Sequence, residues 1–183
     1  MNEDLRNLVI LVDEHDNELG LHEKLDAHIQ GLLHRAFSVL IYNDKGEMML
    51  QQRALMKYHS GGLWTNACCG HPMKDELTDK APHRRLQEEM GFNCELTKQT
   101  EFIYNVPVPP NLIEHEYLHV YHGIYNDEPV LNPEEAMGYR WISKKDLEKE
   151  VKNNPEHFTP WFLLLLIKVK PSFPDLIGES TSL

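Results

Sequence analysis

Cysteine is scarce in this chain: three residues, two of them adjacent, make no disulfide framework, so a reducing cytoplasm is expected. Positive charge is also short. Eighteen Lys and Arg against 29 Asp and Glu leave a formal net charge of -11, which repels nucleic acid and anionic membrane surfaces. No long apolar run is present. Trp161 to Ile167 falls far below the ~20 residues of a membrane span. The start Met1-Asn2-Glu3-Asp4-Leu5-Arg6 lacks a basic region followed by an apolar one, so no signal peptide is expected. Repeats and low-complexity segments are absent.

What remains is a soluble composition, 41% apolar and 26% charged, over 183 residues: enough for one domain with a full core. A single domain over 1–183 is expected, with a loose tail from about 172. Leu8–Val12 reads as a strand and Asp13–Asn17 as a turn, with Glu23–Leu33 polar and irregular. Phe37–Tyr42 and Met48–Gln52 flank the hairpin signal Asn43-Asp44-Lys45-Gly46. Gly61-Gly62 opens a loop into Trp64-Thr65-Asn66-Ala67-Cys68-Cys69-Gly70-His71-Pro72. A helix follows, capped near Thr78 or Asp79 and stopped by Gly91. Phe102–Val106 is a strand closed by Pro107, then come a strand at Ile113–Tyr125 and a short one at Arg140–Ile142. Ser143 caps a charged helix, and Thr159-Pro160 opens one running Trp161–Lys170 to a stop at Pro171. The fold class expected is α/β (α+β), a mixed sheet flanked by helices.

Eleven histidines invite a search for metal ligands. Glu114 and Glu116 stand two apart on a strand, so both carboxylates point one way and call for a cation between them. Cys69 sits beside Gly70-His71-Pro72. A thiol there has an ordinary pKa of ~8.5, and nearby cations would favour its thiolate. In an extended backbone Cys68 faces away from it, and Cys68 and Cys94 read as small buried residues.

The run Gly70-x5-Glu76-x7-Arg84-Arg85-Leu86-x-Glu88-Glu89-x-Gly91-Phe92 resembles the Nudix box at every fixed position but one, Arg85 standing where the box has glutamate. A guanidinium cannot ligate Mg²⁺ but can hold a phosphate. As an i,i+4 pair, Arg85 and Glu89 read either as a surface ion pair or as partners on one diphosphate, Glu89 through Mg²⁺. That departure, with Cys69, makes the chain similar to the type I isopentenyl-diphosphate isomerases, a Nudix-fold branch. The match runs from Glu23-Lys24 to Trp161.

The resemblance implies interconversion of isopentenyl and dimethylallyl diphosphate, feeding isoprenoid biosynthesis. It implies Cys69, Glu116, Tyr104 and Trp161 as catalytic residues. It implies one ion, Mn²⁺, Zn²⁺ or Mg²⁺, on His28, His34, His71, Glu114 and Glu116. A Mg²⁺ that travels with the diphosphate would sit on Glu89 and the Cys69 backbone carbonyl, and Lys24, Arg53, Lys57 and Arg85 would bind the diphosphate. His15, His59, His83, His115, His119, His122 and His157 read as structural or solvated, and His22 is open. The expected partner is the small isoprenyl diphosphate, with no nucleic acid and no membrane. A monomer is expected and a dimer left open. The rivals are a nucleotide-type Nudix diphosphohydrolase, which wants a carboxylate at position 85, and a non-catalytic metal- or ligand-binding module.

Overall fold

Strand β3 (His34–Tyr42) is buried on both faces, and the fold is built outward from it. Ala36, Leu40 and Tyr42 point into one apolar cluster; Phe37, Val39 and Ile41 point into another on the opposite side of the sheet. Alternation with both sides apolar is what a central strand requires. The computed structural model describes residues 7–57 and 59–169. The stop at Pro171 and the loose tail from about 172 lie outside the described residues.

Nine strands form one mixed sheet among those residues. They are β1 (Leu8–Val12), β2 (Glu18–Glu23), β3, β4 (Met48–Arg53), β5 (Trp64–Asn66), β6 (Cys68–Gly70), β7 (Leu96–Val108), β8 (Leu112–Ile124) and β9 (Ala136–Ile142). Strands β3 and β8 run parallel from His34↔Glu116 to Tyr42↔Ile124, and β6 pairs antiparallel along β3. The expected hairpin is present, but β3 and β4 touch in register only at Tyr42↔Met48. Beyond the turn they part, β4 pairing with β5 and β9. Helices α2 (Ala81–Met90), α3 (Lys144–Asn153) and α4 (Pro160–Val169) pack on the two faces, α2 against the Phe37 cluster and α4 against the Leu40 cluster.

Four local expectations are corrected. The segment after β2 is not irregular but holds helix α1 (Lys24–Gln30), capped by the Glu23 carboxylate accepting from the Asp26 N–H and ended by Gly31 at φ 65°. It buries Ala27 and His28 while leaving Leu25 and Ile29 46% and 55% exposed, so its apolar pattern points outward. Trp64–Asn66 and Cys68–Gly70 are strands rather than loop. Helix α2 starts at Ala81, later than Thr78 or Asp79, with no side-chain cap and with Pro82 in its first turn. Pro107 does not close its strand: β7 runs to Val108, and among the described residues β7 pairs only with β8, an edge position where a proline is tolerated.

Candidate active site

Four elements deliver imidazole and carboxylate to one point. Strand β8 carries Glu114 and Glu116 on its buried face, β3 begins at His34 opposite Glu116, α1 contributes His28, and His71 follows β6. Donor atoms of His28, His34, His71 and Glu116 all lie within 4.8 Å of one another. Glu114 sits at the edge of this quartet, its oxygens 3.2 Å from His28 Nε2 and 3.4 Å from His59 Nε2. His28 Nδ1 lies 2.6 Å from the Lys24 carbonyl and His34 Nδ1 2.8 Å from the Leu32 carbonyl. A carbonyl only accepts, so each Nδ1 carries a proton; His34 Nε2 is then left with a lone pair 3.9 Å from Glu116 Oε1, while His28 Nε2 faces Glu114. His34 Nε2 is buried and has no hydrogen-bond partner. A buried orphan acceptor beside the Glu116 carboxylate fits a divalent cation.

The charges agree with that fit. Burial pushes His34 down to about 4 and His71 well below the usual imidazole value, so both are neutral imidazoles, the form a metal requires. Burial also works against protonated His28, but the hydrogen bond and charge of Glu114 outweigh it and raise His28. Burial would raise Glu114 too, and the His28 bond and charge overcome it, holding Glu114 at about 2. Glu116 is driven well above the carboxylate range by burial and by the Glu114 charge. Two buried carboxylates this close both ionise only with a cation beside them.

Strand β6 separates its two thiols. Cys68 turns into the core cluster with Phe37, while Cys69 lines the cavity. Cys69 Sγ donates to Asn66 Oδ1 at 3.1 Å and lies 3.4 Å from Ser38 Oγ. Burial lifts the Cys69 thiol to about 11, against the opposing pull of those two bonds. The expected cation-favoured thiolate is therefore corrected: desolvation wins, and the group stands as a neutral thiol. Across the same cavity of about 310 Å³, Tyr104 OH donates to Glu116 Oε2 at 2.7 Å. Trp161, 6% exposed, forms a wall, its indole N–H fixed on Thr65 Oγ1 at 3.1 Å. The Arg53 guanidinium stands 5.1 Å from the Trp161 ring centroid.

Four cations share the cavity wall. Lys24, Arg53, Lys57 and Arg85 all line the cavity. Arg85 bonds Glu89 Oε1 at 2.6 Å and Glu88 Oε2 at 2.7 Å. Glu89 is only 4% exposed and its other oxygen accepts from Gln51 at 2.9 Å, so the pair is no surface ion pair. Arg53 Nε is buried without a hydrogen-bond partner. Arg84 forks onto Glu76 at 2.7 and 2.8 Å, tying the turn before α2 to the helix.

Ser38, Gln51, His59 and Glu135 also line the cavity and were not singled out from the sequence. His59, expected to be structural or solvated, is 7% exposed and meets the Trp161 ring edge-on at 5.4 Å. Glu135 contacts Lys57 and Arg85. Neither stands in a motif; only the fold brings them in. His115 and His119 lie outside the cavity, His115 bonding the Gly31 carbonyl and His119 lying against Asp16.

The folding pattern and box define a class first. Residues 32–162 match the family described as NUDIX domain. Among solved structures, the DR0079 protein of Deinococcus radiodurans superposes with a TM-score of 0.73 at 17% identity, over 88% of this chain and 98% of its own. The MutT protein from Methanosarcina mazei gives 0.61 at 20% identity, over 76% and 94%. At such identities the likeness shows the fold, which is the Nudix fold. Sequence relatives narrow the placement. The isopentenyl-diphosphate Delta-isomerase of Serratia proteamaculans is 51% identical over 159 residues, 87% of this chain and 89% of that protein. Isopentenyl-diphosphate Delta-isomerase 2 of Photorhabdus laumondii is 49% identical over 155 residues, 85% and 88%. The chain belongs to the isopentenyl-diphosphate Delta-isomerase family of Nudix-fold proteins.

Proposed function

We propose that the protein interconverts isopentenyl diphosphate and dimethylallyl diphosphate by a 1,3-allylic proton shift, supplying isoprenoid biosynthesis in the cytoplasm. The observation that carries this reading is that Cys69 and Glu116, two groups able to exchange protons, line one cavity together with the cations Lys24, Arg53, Lys57 and Arg85.

His28, His34, His71, Glu114 and Glu116 would hold one divalent ion, Mn²⁺, Zn²⁺ or Mg²⁺, and Glu89 with the Cys69 carbonyl a Mg²⁺ on the diphosphate. Bound there, the ions neutralise charge and fix carboxylate orientation. Lys24, Arg53, Lys57 and Arg85 pin the diphosphate, with Arg85 turning from Glu89 to a phosphate oxygen. That leaves the five-carbon tail between Cys69 and Glu116. One of these groups adds a proton at C4, making C3 a tertiary cation, and the other removes a proton from C2, closing the new double bond. In the reverse direction the same two groups exchange roles. The neutral Cys69 thiol has a proton to give, and Tyr104 steadies Glu116 through its hydrogen bond. When the diphosphate draws Arg53 away, the Trp161 face meets the developing cation. That interaction stabilises it by ~2 kcal/mol, about thirtyfold in rate. Proton placement in a water-excluded site supplies the larger share.

Incubation with isopentenyl diphosphate and Mg²⁺, followed by product separation, tests this. Dimethylallyl diphosphate without phosphate release is expected. Release of orthophosphate or a monophosphate would overturn the reading in favour of hydrolysis.

A further inference from the structure

Glu135 is a carboxylate in a place built for an anion. Glu88 and Glu89 belong to the box helix α2, but Glu135 arrives from the turn ahead of β9. Its backbone is held on both sides: its N–H donates to Asn132 O and its carbonyl accepts from the Ala54 N–H, each at 2.9 Å. Its side chain, 18% exposed, reaches the cavity wall. One oxygen meets Lys57 Nζ, and the other lies 3.2 Å from Arg85 Nη2. Two of the four cations assigned to the diphosphate are thus already occupied by a fixed negative group.

We propose that Glu135 is a positioning residue that acts as a resident counter-anion: it occupies Lys57 and Arg85 until diphosphate oxygens displace it, and so weakens head-group binding and favours release. The inference rests on the isoprenyl diphosphate reading of the site. Once displaced, the carboxylate stays a few ångströms from the phosphates, because the sheet and turn fix its backbone. Like charges at that range, in a partly desolvated cleft, oppose each other more strongly than in water. A role confined to bracing Lys57 and Arg85 makes the opposite prediction. In that case removing the charge loosens the cations and weakens the anion's hold.

The sign of one change therefore decides. The full chain is titrated calorimetrically with inorganic diphosphate in the presence of Mg²⁺, as wild type, Glu135→Gln and the charge-retaining Glu135→Asp. Glu135→Gln is expected to lower Kd about tenfold, with Glu135→Asp within about twofold of wild type. The KM for isopentenyl diphosphate falls in step. Equal or weaker binding by Glu135→Gln overturns the proposal. If circular dichroism shows Glu135→Gln unfolded, Glu135→Ala carries the same test of sign. A wild-type chain that binds no diphosphate would sink the head-group reading itself. Wild-type binding with no gain in the neutral variants sinks only the role of Glu135.

Discussion

Cys69 illustrates how burial sets chemistry one residue at a time. Its neighbour Cys68 has the same side chain, yet one faces the core and the other a cavity, because an extended backbone alternates its faces. Cys69→Ala should keep the fold, and its turnover of isopentenyl diphosphate should fall by roughly a thousandfold, within the range a proton-transferring side chain contributes. A kcat near wild type would remove Cys69 from the chemistry. Much of this site was legible in the sequence because its residues come in short fixed spacings: Cys69 with His71, Glu114 with Glu116, Arg85 with Glu89. Glu135 and His59 were not legible. Each reaches the cavity through contacts with residues far along the chain, and no local pattern encodes such contacts. The protonation state of Cys69 was misread for a related reason, since sequence lists the nearby cations but not the depth of burial.

Among the elements, α2 shows how tightly the box is seated. Gly91 ends it at φ 72°, and a Cβ added there would lie 2.3 Å from the Val130 carbonyl oxygen. Gly91→Ala therefore meets both a left-handed backbone and a main-chain clash. It should cost more than ~2 kcal/mol, read as a lowered urea midpoint at unchanged slope. Stability equal to wild type would mean that the Val130 segment yields freely. This helix was legible because its glycine stop falls at the end of the box spacing. Helix α1 was not legible: it hides a histidine and exposes leucine and isoleucine, so the segment read as polar and irregular. Strands β5 and β6 are three residues each, too short for any alternation to register.

Across the whole molecule the buried His and Glu cluster couples stability to any cation it binds. Folded protein offers converging donors and the unfolded chain scatters them, so a cation that binds the native state raises the melting temperature. At a hundred times its Kd the ion adds ~2.7 kcal/mol, about 5–10 °C for a chain of this size. Chelation should reverse that shift and abolish turnover together, as followed by calorimetry and product assay. A melting curve indifferent to chelator and to added Mn²⁺, Zn²⁺ and Mg²⁺ would show that the quartet holds none of them.

The parallel register that sets His34 beside Glu116 has a consequence in time. Those two residues stand far apart along the chain, and such distant pairings close slowly during folding. A polypeptide still emerging from the ribosome carries His28, His34 and His71 before Glu114 and Glu116 have been synthesised. The full set of imidazoles and carboxylates therefore converges only after β8 has been made and has paired with β3, so the order of synthesis leaves this cluster among the later parts of the site to assemble.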